Sequence, residues 1–263
     1  SAIFGLLSLF FVVNWGSIPF LFVNILLIIL GINEFILFIQ KKYRCNNLIF
    51  YFLAVIFSLY VYFINNNILP LSLGFIFLFI ILFLFIYFIL VKGFENILIS
   101  ISINLMGIIY ISGGLTFLIL LKDMEVSFLG YTWPLWLVLI ATWVTDTGAY
   151  FSGRFFGKNK LAPKVSPNKT IEGAIGGIFF SFLVIIFIFW INNGLSLSLI
   201  TYAILLPVVA IIGDLFESAL KRDAGIKDSG NIFPGHGGVL DRFDSIIFTS
   251  SFTYFYFIII ELI

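Results

Sequence analysis

Residues 69–91 read LPLSLGFIFLFIILFLFIYFILV, 23 positions without one charged side chain. About 20 apolar residues in a helix cross the hydrocarbon core of a bilayer. Only a helix satisfies its own backbone hydrogen bonds there within a single segment, so this stretch is a transmembrane helix. Working outward from it, comparable runs lie at 2–14 (short), 17–39, 48–64, 97–121, 133–152, 171–191, 197–220 and 243–262. The composition agrees: 62% of the 263 residues are hydrophobic, 10% are charged, and the mean hydropathy is +1.18. An average soluble domain carries about 25% charged residues. The expected fold is an all-α polytopic integral membrane protein with about nine transmembrane helices.

The few charges set the orientation. With the N-terminus in the cytoplasm, 13 of the 14 Lys and Arg residues fall on the inside and only Lys122 falls outside, as the positive-inside rule requires. Residues 1–132 then supply N-terminal transmembrane helices. Residues 133–263 form a C-terminal transmembrane region, within the same integral membrane unit, carrying two longer cytoplasmic loops, 153–170 and 221–242. The single cysteine, Cys45, excludes an internal disulfide and a thiolate metal set. The net charge of +1 carries no argument for nucleic acid, and none is expected as a partner.

Against this apolar background, GDLFESALKRDAGIKDSGNIFPGHGGVLDRFD (213–244) holds six acids, four bases and the only histidine. Ionisable groups at a membrane are costly and mark sites. Asp214, Glu217, Ser218 and Lys221, at i, i+3, i+4 and i+7, share one helix face, and Asp241 and Asp244 stand three apart at the start of the last helix. Carboxylates converging from two helices would make an oxygen-ligand site for Mg²⁺. Ion pairs with Lys221, Arg222 and Arg242 that tie helix ends together explain the same spacing. The connecting KDSGNIFPGHGG adds Lys227, Asp228 and His236 among five glycines and prolines, a composition suited to backbone contact with phosphate or to a tight connector.

The second loop ends in SPNKTIEG (166–173). Ser166 and Pro167 read as N-cap and first helical residue, with Thr170 as the alternative cap. The first reading places Lys169 in the first turn, where an anion is already favoured. Gly173 and Gly177 form a GxxxG suited to helix packing. Asp146, in WVTDTGAY (143–150), implies a partner, a cavity or a proton role. Glu34 reads as structural, snorkelling toward Lys41 or Lys42.

Taken together, SALKRDAGIKDSGNIFPGHGGVLDRFD resembles the signature of the phosphatidate cytidylyltransferases, or CDP-diacylglycerol synthases. Ser218, Lys221, Arg222, Lys227, Asp228, His236, Gly237, Gly238, Asp241, Arg242 and Asp244 carry the match. SPNKTIEGAIGG and WVTDTGAY are similar to two further blocks of that family, and the close resemblance covers about 133–250. It implies that CTP and phosphatidic acid give CDP-diacylglycerol and pyrophosphate with Mg²⁺, in a homodimer of the bacterial inner membrane whose active site faces the cytoplasm. Carried over by motif, Asp214, Asp241 and Asp244 hold one or two metal ions. Lys221 and Asp228 join them as catalytic residues, while Ser166, Lys169, Ser218, Arg222, Lys227, His236, Arg242 and Asp146 bind substrate. Two other classes compete. A CTP-dependent lipid kinase would use His236 or Asp228 as base, and a cation- or proton-coupled transporter would use Asp146 and Asp214.

Overall fold

In the computed structural model, the residues described are 10–40, 42, 47–66, 68, 73–92, 97–126, 133–192, 195–230 and 237–261. They form α1 (Ser17–Ile39), α2 (Asn47–Asn65), α3 (Leu73–Lys92), α4 (Ile97–Gly107), a π-helical stretch (Ile108–Gly113), α5 (Gly114–Asp123) and α6 (Trp133–Phe156). There follow β1 (Lys160–Ala162), β2 (Ser166–Thr170), α7 (Ile171–Ile191), α8 (Leu197–Asp223) and α9 (Leu240–Glu261). Seven of the helical segments among the described residues are long and apolar enough to cross a membrane, with α4, the π-helix and α5 counted as one. The eighth, α6, has 24 residues and is about 36 Å long at 1.5 Å per residue, but Thr142, Thr145, Asp146 and Arg154 lower its hydropathy. The fold is all-α and polytopic. Of the predicted span at 2–14 only residues 10–14 lie within the described set, and all of these are helical.

The chain divides into two units, Ser1–Leu120 with Asp228–Leu240, and Leu121–Lys227 with Asp241–Ile263. In the first, apolar side chains alone do not select neighbours, because lipid is equally apolar; polar pairs and close approaches do. Asn24 donates to the Leu115 carbonyl at 2.8 Å, Ser112 donates to the Ala54 carbonyl at 2.7 Å, and Tyr51 donates to Asn33 at 2.8 Å. A Cβ on Gly107 would lie 2.0 Å from the Phe50 ring and 2.8 Å from that of Phe35, so glycine is required there. Glu34 departs from its expected place. Its carboxylate is buried, and of the two lysines expected as its partners Lys41 lies outside the described residues. The carboxylate accepts hydrogen bonds from Ser229 Oγ (3.0 Å), Val239 N (2.7 Å) and Leu240 N (2.9 Å). Buried backbone N–H groups need an acceptor more than this acid needs a distant lysine.

The second unit is built on α6 and α7, which meet backbone to backbone. A Cβ on Gly177 would stand 2.7 Å from the Thr145 carbonyl oxygen, and one on Gly173 would stand 2.8 Å from that of Ala149. The GxxxG of α7 is therefore a packing face. Against the same pair lies a core formed by Leu137, Ala141, Ile185, Phe189, Leu206 and Phe257 around Tyr202. Tyr202 hydrogen-bonds Thr253 at 2.9 Å and stacks on Phe257 with ring centres 5.0 Å apart. This joins α8 to α9.

Gly177→Leu should destabilise the protein by about 1–3 kcal/mol, the usual cost of overpacking, because the obstacle is backbone. The exposed Phe179→Leu should leave stability unchanged. Denaturant unfolding in mixed micelles measures both.

Candidate active site

The turn from α6 to α7 is held by short-range polar contacts that the apolar sequence around it does not offer. β1 and β2 pair antiparallel, Lys160 opposite Thr170 and Ala162 opposite Ser166. Glu172 accepts from the backbone N–H of Lys158 at 3.1 Å and of Asn159 at 3.2 Å, and from the Asn159 amide at 2.8 Å. Thr170 is the N-cap of α7, accepting from Gly173 N at 3.1 Å. The Ser166–Pro167 cap is thereby corrected, and so is the placement of Lys169 in the first turn. Ser166–Thr170 is a strand, since pairing with β1 satisfies backbone groups that a helical start at Ser166 would have turned away. Lys169 is the last residue before the cap.

That position sends Lys169 to Asp214 on α8, with which it forms an ion pair. Both line a cavity of about 520 Å³, together with Asp146, Tyr150, Arg154 and Asn168. The volume is that of a small-molecule site. Asp146 is exposed to this space, so its place in an apolar span is explained by a cavity. Arg154 donates to the Tyr150 hydroxyl at 3.0 Å. The cavity thus presents two cations and two carboxylates.

Beside it α8 and α9 converge. A Cβ on Gly213 would lie 2.8 Å from the Asp244 carbonyl oxygen and 3.1 Å from Phe248 Cβ. This close approach puts Asp214 and Asp244 on adjoining turns of two helices. Ser218 donates to Asp214 at 3.5 Å, and Asp244 accepts from its neighbour Ser245 N at 2.6 Å. Toward the end of α8, Lys221 bridges Glu217 at 2.5 Å and Asp241 at 2.6 Å. All three side chains are largely buried, with the ammonium between the two carboxylates. Spacing puts Glu217 on one face with Asp214 and Lys221 but does not by itself mark it as a partner of Lys221. Its i, i+4 offset from Lys221 was the available signal.

Other predicted residues are placed differently. Arg222 donates to the carbonyls of Val165 at 3.1 Å and Ile226 at 3.0 Å, tying the α8 end to the hairpin. Lys227 and Arg242 are exposed, and so is Asp228, which belongs to the first unit. His236 lies outside the described residues. No three acidic, histidine or cysteine side chains among the described residues are gathered closely enough to hold a metal ion as they stand. Asp214 and Asp241 instead face lysines. Asp214 and Asp244 stand on touching turns with Asp241 one turn away on α9, and all three offer the oxygen donors that Mg²⁺ takes.

Helices of this length, with a cavity of paired charges opening among them, define an integral membrane protein equipped for a small charged ligand. The chain belongs to the cytidylyltransferase family, whose sequence profile matches residues 1–260. It is 52% identical over 111 residues to a phosphatidate cytidylyltransferase of Staphylococcus haemolyticus, covering 41% of this chain and 43% of that protein. With proteins of the same name it shares 48% over 130 residues in Haemophilus influenzae (47% and 45% covered) and 51% over 119 residues in Bacillus subtilis (44% and 44% covered). The chain spans a little under half the length of these curated relatives.

Lys221→Met should cost about 3–5 kcal/mol of stability, since it leaves Glu217 and Asp241 buried without their cation. Adding Glu217→Gln should restore part of the loss. Denaturant titrations of Lys221→Met, Glu217→Gln and the double variant form the cycle, and absence of any recovery would show that Glu217 and Lys221 do not act as a pair.

Proposed function

We propose that this protein transfers the cytidylyl group of CTP to phosphatidic acid, giving CDP-diacylglycerol and pyrophosphate. The observation that carries the reading is the Lys169–Asp214 ion pair lining a cavity with Asp146, in a chain matched along residues 1–260 by the cytidylyltransferase family. The names of the relatives supply the substrate. The reaction takes place in a bacterial inner membrane, from a site on the cytoplasmic side where CTP is found, in a homodimer of about nine-helix protomers with cytoplasmic N-termini. The charge asymmetry of the loops supports that orientation.

An oxygen of the phosphatidate phosphate attacks the α-phosphorus of CTP. A new P–O bond forms, the bond from the α-phosphorus to the α–β bridging oxygen breaks, and pyrophosphate leaves with that electron pair. A phosphate monoester has its second pKa near about 6, so the nucleophile is already largely dianionic and needs no general base. The demand on the protein is to bring two anions together and to offset charge on the leaving group. Lys169 is placed for the first task. A phosphate entering the cavity exchanges for Asp214 as its partner, and Arg154 lies on the same wall. Asp214, Asp244 and Asp241 would hold Mg²⁺, which when bound would neutralise phosphate oxygens. Lys221 keeps Asp241 and Glu217 in register, and Ser218 steadies Asp214. Ser166, Arg222, Lys227, Asp228, His236 and Arg242 are assigned to the site by motif.

The test is pyrophosphate release by purified protein with CTP, phosphatidic acid and Mg²⁺, beside a control without lipid. Lipid-dependent release lost on chelation is expected. CDP as the product would mean a lipid kinase, and neither product from folded protein would favour a transporter. Asp214→Asn and Asp244→Asn should each lower kcat at least about a hundredfold, the scale of losing a preorganised electrostatic partner. Lys169→Ala should weaken use of CTP or phosphatidate. Near-normal turnover would remove the residue concerned from the site.

A further inference from the structure

A carboxylate from the first transmembrane helix described here grips the segment that leads into Asp241 and Asp244. Glu34 lies in α1 and is 1% exposed. Its two oxygens accept three hydrogen bonds, from Ser229 Oγ, Val239 N and Leu240 N, at sequence separations of 195, 205 and 206. Leu240 opens α9, and the first N–H groups of a helix have no partner within it. A local Ser, Thr, Asp or Asn usually supplies the acceptor. Here Val239 precedes the helix and has no acceptor in its side chain. The cap therefore comes from a distant helix, in surroundings where an unmet N–H is costly.

The glycines of the 228–240 segment are shaped to this carboxylate. A Cβ on Gly238 would lie 2.4 and 2.5 Å from the two Glu34 oxygens and 2.3 Å from Ser229 Oγ. On Gly230 it would lie 2.8 Å from Glu34 Oε1. Two glycines that read in the sequence as room for phosphate thus make room for Glu34. One side chain thus holds both Ser229 and Val239.

We propose that Glu34 is a positioning residue for the transfer reaction, setting the start of α9 and through it the places of Asp241 and Asp244. The proposal rests on the cytidylyltransfer reading above. A helix whose first turn is uncapped can begin one residue later, and displacing a reacting array by about 1 Å can cost about a hundredfold in rate. Glu34→Gln keeps the shape but sets an NH₂ group against N–H donors. Glu34→Asp keeps the charge on a shorter stem.

The experiment compares wild type, Glu34→Gln, Glu34→Asp and Asn24→Ala in detergent, reading kcat, KM for CTP, melting temperature and hydrogen exchange. Asn24 is buried on the same helix and bonds the Leu115 carbonyl, so its variant reports the effect of lost stability alone. Glu34→Gln should lower kcat about 10- to 100-fold and speed exchange at 237–245 while leaving 171–191 protected. Glu34→Asp should recover part of the kcat, and Asn24→Ala should keep it despite an equal fall in melting temperature. A Glu34→Gln kcat within about twofold of wild type, or an equal loss in Asn24→Ala, overturns the proposal. Unchanged exchange at 237–245 overturns the clasp itself. Absence of pyrophosphate release from the wild type would instead defeat the functional reading, and the exchange measurement distinguishes that failure from this one.

Discussion

Hydrocarbon offers no hydrogen-bond partner, so each polar group within a span must find one in the protein or in a cavity the protein encloses. This constraint arranges the charges of the molecule. Lys221 stands between Glu217 and Asp241, Lys169 faces Asp214, and Glu34 accepts three donors. Asp146 meets the constraint differently, by opening onto the cavity. Replacing one member of such a set strands the others, which is why buried pairs are sensitive to single substitutions even where the intact pair adds little net stability.

Glycine makes these pairings reachable. Lipid-exposed apolar side chains have no preference for one another over lipid, so the helices are selected by how near their backbones come. Gly177 and Gly173 seat α7 against α6, and Gly213 seats α8 against α9. The first contact fixes the corner at which Thr170 caps α7 and Lys169 is presented. The second sets Asp214 beside Asp244. Larger side chains at these positions would run into backbone carbonyl oxygens of the facing helix.

The two lysines serve unlike ends. Lys221 is mostly buried between two acids, and its charge is spent on holding α8 to α9. Lys169 and Asp214 are each about a quarter exposed, at 27%, on the wall of an open cavity. That pair faces open space, whereas the Lys221 bridges do not. The sequence marks both lysines, in two separate motifs, but only the fold sets one between buried acids and the other on a cavity wall.

The sequence by itself determined the all-α membrane architecture, because period and length suffice when every span must satisfy its own backbone. It also determined where the ionisable groups cluster, since charges in hydrocarbon are too costly to be incidental; Asp214, Lys221 and Asp241 are legible as members of that cluster for this reason. Partnerships across the chain were not. Lys169 next to Asp214, Lys221 shared with Asp241, and Glu34 on Val239 and Leu240 depend on which helices touch and in what register. The hairpin at 160–170 is not legible, because its short pairing and the flanking contacts of Glu172 with Lys158 and Asn159 leave no periodic trace. Tertiary structure decided these, because a side chain a few ångströms long finds its partner only after glycine contacts have set the distance between backbones.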